Sequence, residues 1–152
     1  MPEKTIMIRH ILVVCVGNIC RSPMAEALLK RELREQDGFT VESAGLGALV
    51  GYPASEFSIE LMDELGVDIT AHRARQIHPD MVNAADLVLV MEAGHKRAID
   101  DADPTARGKV HRLGEWQDKD VADPYRRPRE AYESALADIE SGVASWVEKI
   151  RT

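Results

Sequence analysis

Apolar positions along this chain fall into two periods. Ile11–Val16 is an unbroken, Val-rich apolar run, and Leu87–Met91 is a second. Continuous runs of this length mark strands buried on both faces, as in a parallel sheet. Phe39–Ser43 and Lys109–Leu113 are weaker strand patterns. Between these segments the period changes to three and four. Met24, Leu28, Leu29 and Leu33 form a stripe behind Ser22-Pro23. That predicts a helix capped by Ser22, with Pro23 in its first position, ending before Gly38. Phe57, Leu61, Met62 and Leu65 form another stripe between a Ser55 cap and a Gly66 stop. Glu92–Asp101 predicts a short helix. Arg129–Arg151 predicts the longest, with Tyr132, Leu136, Ile139, Val143, Trp146, Val147 and Ile150 on one face. Strands alternating with helices predict an α/β fold of three layers, α/β/α, around a central four-stranded parallel sheet. Ligands of such sheets sit beyond the carboxyl ends of the strands. The end of the first run, at Cys15 and Val16, is therefore where chemistry is expected.

Composition narrows the setting. The 152 residues suit a single domain over 1–152, and 45% hydrophobic with 30% charged residues excludes a disordered tail. Asp and Glu number 26 against 19 Lys and Arg, so the net charge of −7 argues against nucleic acid or an anionic membrane as partner. No apolar run is long enough to span a bilayer. Ile6–Ile8, cut off by Arg9 and His10, offers no secretory signal. Two cysteines, Cys15 and Cys20, are too few for a disulfide scaffold and suit a reducing compartment, so a cytoplasmic location is expected.

The segment Cys15-Val16-Gly17-Asn18-Ile19-Cys20-Arg21-Ser22-Pro23 joins a buried strand to a helix start in very few residues. Gly17 and Asn18 tolerate left-handed backbone angles, so the loop can curl. A curled loop turns the N–H groups of Val16 to Ser22 inward as an anion nest, and the helix adds its positive end. Arg21 can place a planar fork on two oxygens of the same anion. Together these fit one tetrahedral oxyanion, most simply phosphate. A nucleotide loop is excluded, because neither Gly-Lys-Ser/Thr nor Gly-x-Gly-x-x-Gly is present. Cys15 is the candidate nucleophile, since inward N–H groups, the helix end and Arg21 all favour its thiolate. Ser22 can donate its hydroxyl to that sulfur. Cys20 is read either as a small buried residue or as a resolving thiol that pairs with an oxidised Cys15. The cysteines and the five histidines show no zinc-ligand spacing, and no metal or cofactor is expected. Cleaving a phosphate ester also needs an acid for the departing oxygen; Asp123 in Asp123-Pro124-Tyr125 is the most suggestive carboxylate, and by itself reads either as that acid or as an ordinary Asp-Pro turn. Arg126, Arg127 and Arg129 beside it read either as a solvated charge run or as an attraction for an acidic or phosphorylated tail.

Val14–Pro23 with Asp123-Pro124-Tyr125 resembles a low-molecular-weight protein tyrosine phosphatase. Glu42–Gly45, His72–Gln76 and Leu87–Glu92 are similar to further segments of that family, so the resemblance covers essentially the whole chain. Ser43–Gly51 and Asp123–Arg127 more narrowly resemble the bacterial branch tied to exopolysaccharide export. The resemblance implies a phosphatase-I-like fold and hydrolysis of phosphotyrosine through a cysteinyl-phosphate. Cys15 would attack, Arg21 and the loop N–H groups would hold the phosphoryl oxygens, and Asp123 would protonate the tyrosyl oxygen. Asn18 would hold the loop through Ser43 and His72, with Ser22 supporting the thiolate. Leu46, Leu49 and Tyr125 would line the substrate pocket, with Leu46 and Leu49 standing where eukaryotic members carry bulky aromatics. The implied partner is a membrane tyrosine autokinase of polysaccharide export. Two related activities are disfavoured. Arsenate reduction needs further thiols, yet Val82 and Leu89 stand in that region and no Cys follows Cys20. Arginine phosphatases carry Thr where this chain has Ile19. A silent phosphate-binding or redox-sensing module would need neither a nucleophile nor an acid.

Overall fold

The computed structural model describes residues 7–151, so part of the Ile6–Ile8 stretch lies outside it. Four strands form one sheet in the order β2-β1-β3-β4, all neighbours parallel: β1 His10–Cys15, β2 Thr40–Gly45, β3 Leu87–Val90 and β4 Val110–Arg112. The two unbroken apolar runs are the two central strands. Alternation along them divides the core. Ile11, Val13, Leu87 and Leu89 face one layer with α1 (Arg21–Glu32), α2 (Glu56–Glu64) and α5 (Arg129–Arg151). Leu12, Val14, Val88 and Val90 face the other, with α3 (Pro79–Ala84) and α4 (Ala93–Ala102). This is the three-layer α/β/α arrangement that the strand and helix pattern predicts.

One helix start differs from expectation and a second matches it without a side-chain cap. α1 begins at Arg21, with Cys20 as its N-cap residue and no side-chain cap. Ser22 thus lies inside the first turn and does not cap it. Pro23 stands third in the helix, where its missing N–H still costs nothing. Ser55 is the N-cap residue of α2, as expected, but its hydroxyl donates to Tyr132 and not to the helix backbone. The six-residue α3 has no counterpart in the sequence pattern.

Strand order places the reactive segments together. β1 runs toward β2 on one side and β3 on the other, so the crevice lies at the carboxyl ends of β1 and β3. Cys15 ends β1, and Glu92 stands two residues past β3. The segment after β4 returns over this edge when the Val121 N–H donates to the Met91 carbonyl at 2.9 Å. Asp123 follows two residues later.

Candidate active site

The loop between Cys15 and Arg21 owes its shape to Asn18, which takes φ 59 while Gly17 stays out of the left-handed region. Asn tolerates that well better than most residues. Asn18 is buried, and its whole side chain is engaged. Nδ2 donates to Ser22 Oγ at 2.7 Å and Ser43 Oγ at 3.0 Å, while Oδ1 accepts from the Arg75 N–H at 2.9 Å. The Asn18 carbonyl accepts from His72 Nε2 at 2.7 Å.

The loop carbonyls are all taken from outside. Cys15, Val16 and Gly17 accept from the N–H groups of Leu46, Gly47 and Leu49 at 2.9, 3.0 and 3.1 Å. Ile19 accepts from the Ser55 N–H at 2.7 Å and Cys20 from Ser58 Oγ at 3.2 Å. With oxygens held outward, the peptide N–H groups point into the concavity, and those of residues 16–20 have no partner among the described residues. This is an anion nest. It also explains Gly45: a Cβ there would collide with the Val16 carbonyl, so only glycine lets the 46–49 segment close on the loop.

Cys15 Sγ lies 2.9 Å from Ser22 Oγ. Because Ser22 accepts from Asn18, its own proton is free to point at the sulfur. Arg21 is buried to within 1% of its surface and held rigidly. Its Nη1 donates to Glu92 Oε2 at 2.6 Å and to the Val121 carbonyl at 2.7 Å. Nε has no partner among the described residues, and Nη2 is 3.7 Å from Asp123 Oδ2. The protein thus occupies one nitrogen and leaves the Nε–Nη2 edge, the edge that meets two oxygens of one anion. Asp123 is steadied by its neighbour, the Tyr125 N–H donating to Oδ1 at 3.0 Å.

Cys15, Val16, Gly17, Ile19, Cys20, Arg21, Gly47, Leu49, Asp123 and Tyr125 line one cleft of about 150 Å³. That is below the roughly 300–1,000 Å³ of ordinary small-molecule sites, so it admits the end of one side chain. Larger grooves lie elsewhere, and the one of about 430 Å³ behind the loop holds carboxylates but no cysteine. Leu46 corrects a sequence expectation. It lies in a separate groove with Ile77, Val82 and Ile99 and packs on the α3/α4 side, leaving Leu49 and Gly47 at the cleft. Asn18, Ser22, Ser43 and His72 stand behind the loop and do not line the cleft.

Cys20 and Tyr132 sit beneath. Cys20 Sγ is 3.5 Å from the Tyr132 hydroxyl, which accepts from Ser55 at 2.9 Å. Burial pushes the Cys20 thiol up, with the neighbouring Cys15 and Asp123 charges adding to it. Burial likewise pushes Tyr132 up to about 12. Sequence reasoning missed Glu92, Val121, Arg75 and Glu26 as supports. Glu26 accepts from Ser43 Oγ at 2.5 Å and pairs with Lys30 at 2.6 Å. Glu92 had a readable signal, since it follows a central strand at the carboxyl edge of the sheet.

The model of the family "Low molecular weight phosphotyrosine protein phosphatase" matches residues 10–152. This chain belongs to that family. It is 52% identical over 145 residues to the probable low molecular weight protein-tyrosine-phosphatase EpsP of Ralstonia solanacearum, covering 95% of this chain and 98% of the relative. The structure of Vibrio vulnificus Wzb in complex with benzylphosphonate matches with a TM-score of 0.87 at 41% identity, over 93% of this chain and 99% of that one. The YwlE arginine phosphatase from Geobacillus stearothermophilus matches with a TM-score of 0.86 at 36% identity, over 94% and 93%. Low-molecular-weight phosphatases thus share this architecture across leaving groups, and the cleft wall must discriminate between them. Here Ile19, Leu49 and Tyr125 give that wall hydrocarbon and one ring, and the one carboxylate lining the cleft is that of Asp123. No helix among the described residues is long and apolar enough to cross a membrane.

Proposed function

We propose that this protein hydrolyses phosphotyrosine in proteins, with Cys15 as nucleophile, Arg21 and the loop N–H groups as phosphoryl clamp and Asp123 as acid. The observation that carries this is the single cleft in which Cys15, Arg21 and Asp123 meet, walled by Ile19, Leu49 and Tyr125. Cys15 Sγ attacks phosphorus in line while the bond to the tyrosyl oxygen breaks and that oxygen takes the Asp123 proton. The three equatorial oxygens rest on the Arg21 edge and the nest, which supply fixed charge where charge develops. The product is a cysteinyl-phosphate. Asp123, now a carboxylate, takes a proton from water as that water attacks phosphorus, and the sulfur leaves with the Ser22 hydroxyl donating to it. Ile19 and Tyr125 favour an aromatic leaving group over a guanidinium.

Two finer readings go with this one. The low cysteine count, two thiols and no disulfide framework, supports work in the cytoplasm. The likeness to the exopolysaccharide branch supports a membrane tyrosine autokinase of polysaccharide export as the protein dephosphorylated. The activity is tested with phosphotyrosine, phosphoserine and phosphoarginine peptides at equal concentration in EDTA, with Cys15→Ser as blank. Phosphate release from phosphotyrosine alone, absent in the blank, is expected. Release from phosphoarginine instead overturns the reading of Ile19.

A further inference from the structure

Beyond the catalytic cleft, the turn after Asp123 carries two arginines that the mechanism does not use. Arg129 is occupied: it pairs with Glu60 at 3.1 Å, Glu64 at 2.5 Å and Glu133 at 3.5 Å. The three arginines of the sequence cluster therefore divide. Arg126 and Arg127 are exposed and have no carboxylate partner among the described residues, in a chain with seven more acidic than basic groups. Their placement is fixed. The Arg127 N–H donates to the Pro124 carbonyl at 2.9 Å, closing the turn. Arg126 sits at φ 62, a left-handed conformation that a long side chain keeps only where its surroundings enforce it. Its guanidinium lies 5.3 Å over the Tyr125 ring, and Tyr125 lines the cleft. Opposite, Gly47, Ala48, Leu49, Val50, Gly51 and Tyr52 carry no charge. The mouth therefore has one cationic lip and one neutral lip.

We propose that the Tyr125–Arg127 turn recognises an acidic peptide segment, Asp and Glu carboxylates flanking the phosphotyrosine that enters the cleft. This rests on the phosphotyrosine reading above and adds the substrate class. The overall charge of −7 repels acidic peptides, so a preference for them must come from a local cationic surface. The test compares kcat/KM for two phosphotyrosine peptides, one with Glu flanks and one with Gln at the same positions. Gln keeps the shape and removes only the charge. The unaltered protein is expected to favour the Glu peptide about fivefold, the effect of two exposed charge pairs. Raising salt from about 0.1 M to about 1 M shortens the screening length from ~10 to ~3 Å and removes that preference. Replacing Arg126→Gln and Arg127→Gln together brings the ratio to one or below, each protein's Gln peptide serving as its own reference for correct folding. Equal kcat/KM for both peptides in the unaltered protein, or an unchanged ratio in the double variant, overturns the inference and leaves the phosphotyrosine reading intact. If the unaltered protein hydrolyses neither peptide, both fall.

Discussion

Replacing Asn18 with alanine tests how the anion loop is held. The substitution removes three side-chain hydrogen bonds, and they are unequal. Ser22 Oγ still has Cys15 and Ser43 Oγ still has Glu26, so those two losses cost about 0.5 kcal/mol each. The Arg75 N–H loses its acceptor at a half-buried position, which costs about 1–3 kcal/mol. Alanine at φ 59 adds a strain of under about 1 kcal/mol relative to asparagine. The sum is about 3 kcal/mol, or a fall in Tm of about 6–12 °C for a domain of this size. Asn18→Gly loses the same bonds but accepts the backbone angle, so the gap between the two variants isolates the strain. Thermal melts and turnover of a phosphotyrosine peptide are measured on both. We expect both Tm values to fall and kcat/KM to drop by about 10²-fold, as a cradle displaced by an ångström does. A Tm for Asn18→Ala within about 2 °C of the unaltered protein would refute the reasoning.

Other outcomes follow from the same geometry. Asp123→Asn should lower kcat on phosphotyrosine by about 10²–10⁴-fold, and far less on an ester with a good leaving group; equal losses on both would reassign the acid. Glu92→Gln removes the charge fixing Arg21 Nη1 while the Val121 carbonyl remains, so KM for a phosphotyrosine peptide should rise about tenfold with the fold intact by circular dichroism. An unchanged KM would mean that Val121 alone suffices. Burial lowers His95 from its ordinary value of 6.5, Glu92 opposing and Arg21 assisting. Its neutral form is the one that folding favours, so it stabilises the fold above about pH 6.5 and loses that contribution as pH falls from there through its lower folded value. Melts across that window should fall less steeply for His95→Asn, and parallel slopes would remove His95 from the acid sensitivity.

Most of the fold was legible because the central strands are uniformly apolar and α5 repeats its stripe for 23 residues, with both ends at the expected positions. The helix α3 was not, since its six residues bury only Val82 and cannot show a period. That Cys15, Arg21 and Asp123 share one cleft was foreseeable, because phosphate-ester chemistry calls for those residue types and two of them stand in one loop. Glu92 could not be assigned to Arg21, because the two are 71 positions apart and only sheet order joins them. Ser22 was misplaced as a cap and Ser55 was placed correctly but caps through no side-chain bond, because each hydroxyl has another partner that competes with the helix backbone. Leu46 was misplaced because a spacing of three residues from Leu49 does not fix the side of an irregular segment.

The outward-held carbonyls of the loop have a thermodynamic consequence. In a slack loop the peptide planes would swing as an anion arrives, and binding would be weakened by the work of ordering them. Here Leu46, Gly47, Leu49, Ser55, Ser58 and His72 set that orientation when the chain folds. Folding free energy and anion affinity are thereby linked quantities. Inorganic phosphate should raise the melting temperature in proportion to its occupancy, and loosening any of these six anchors should lower both together.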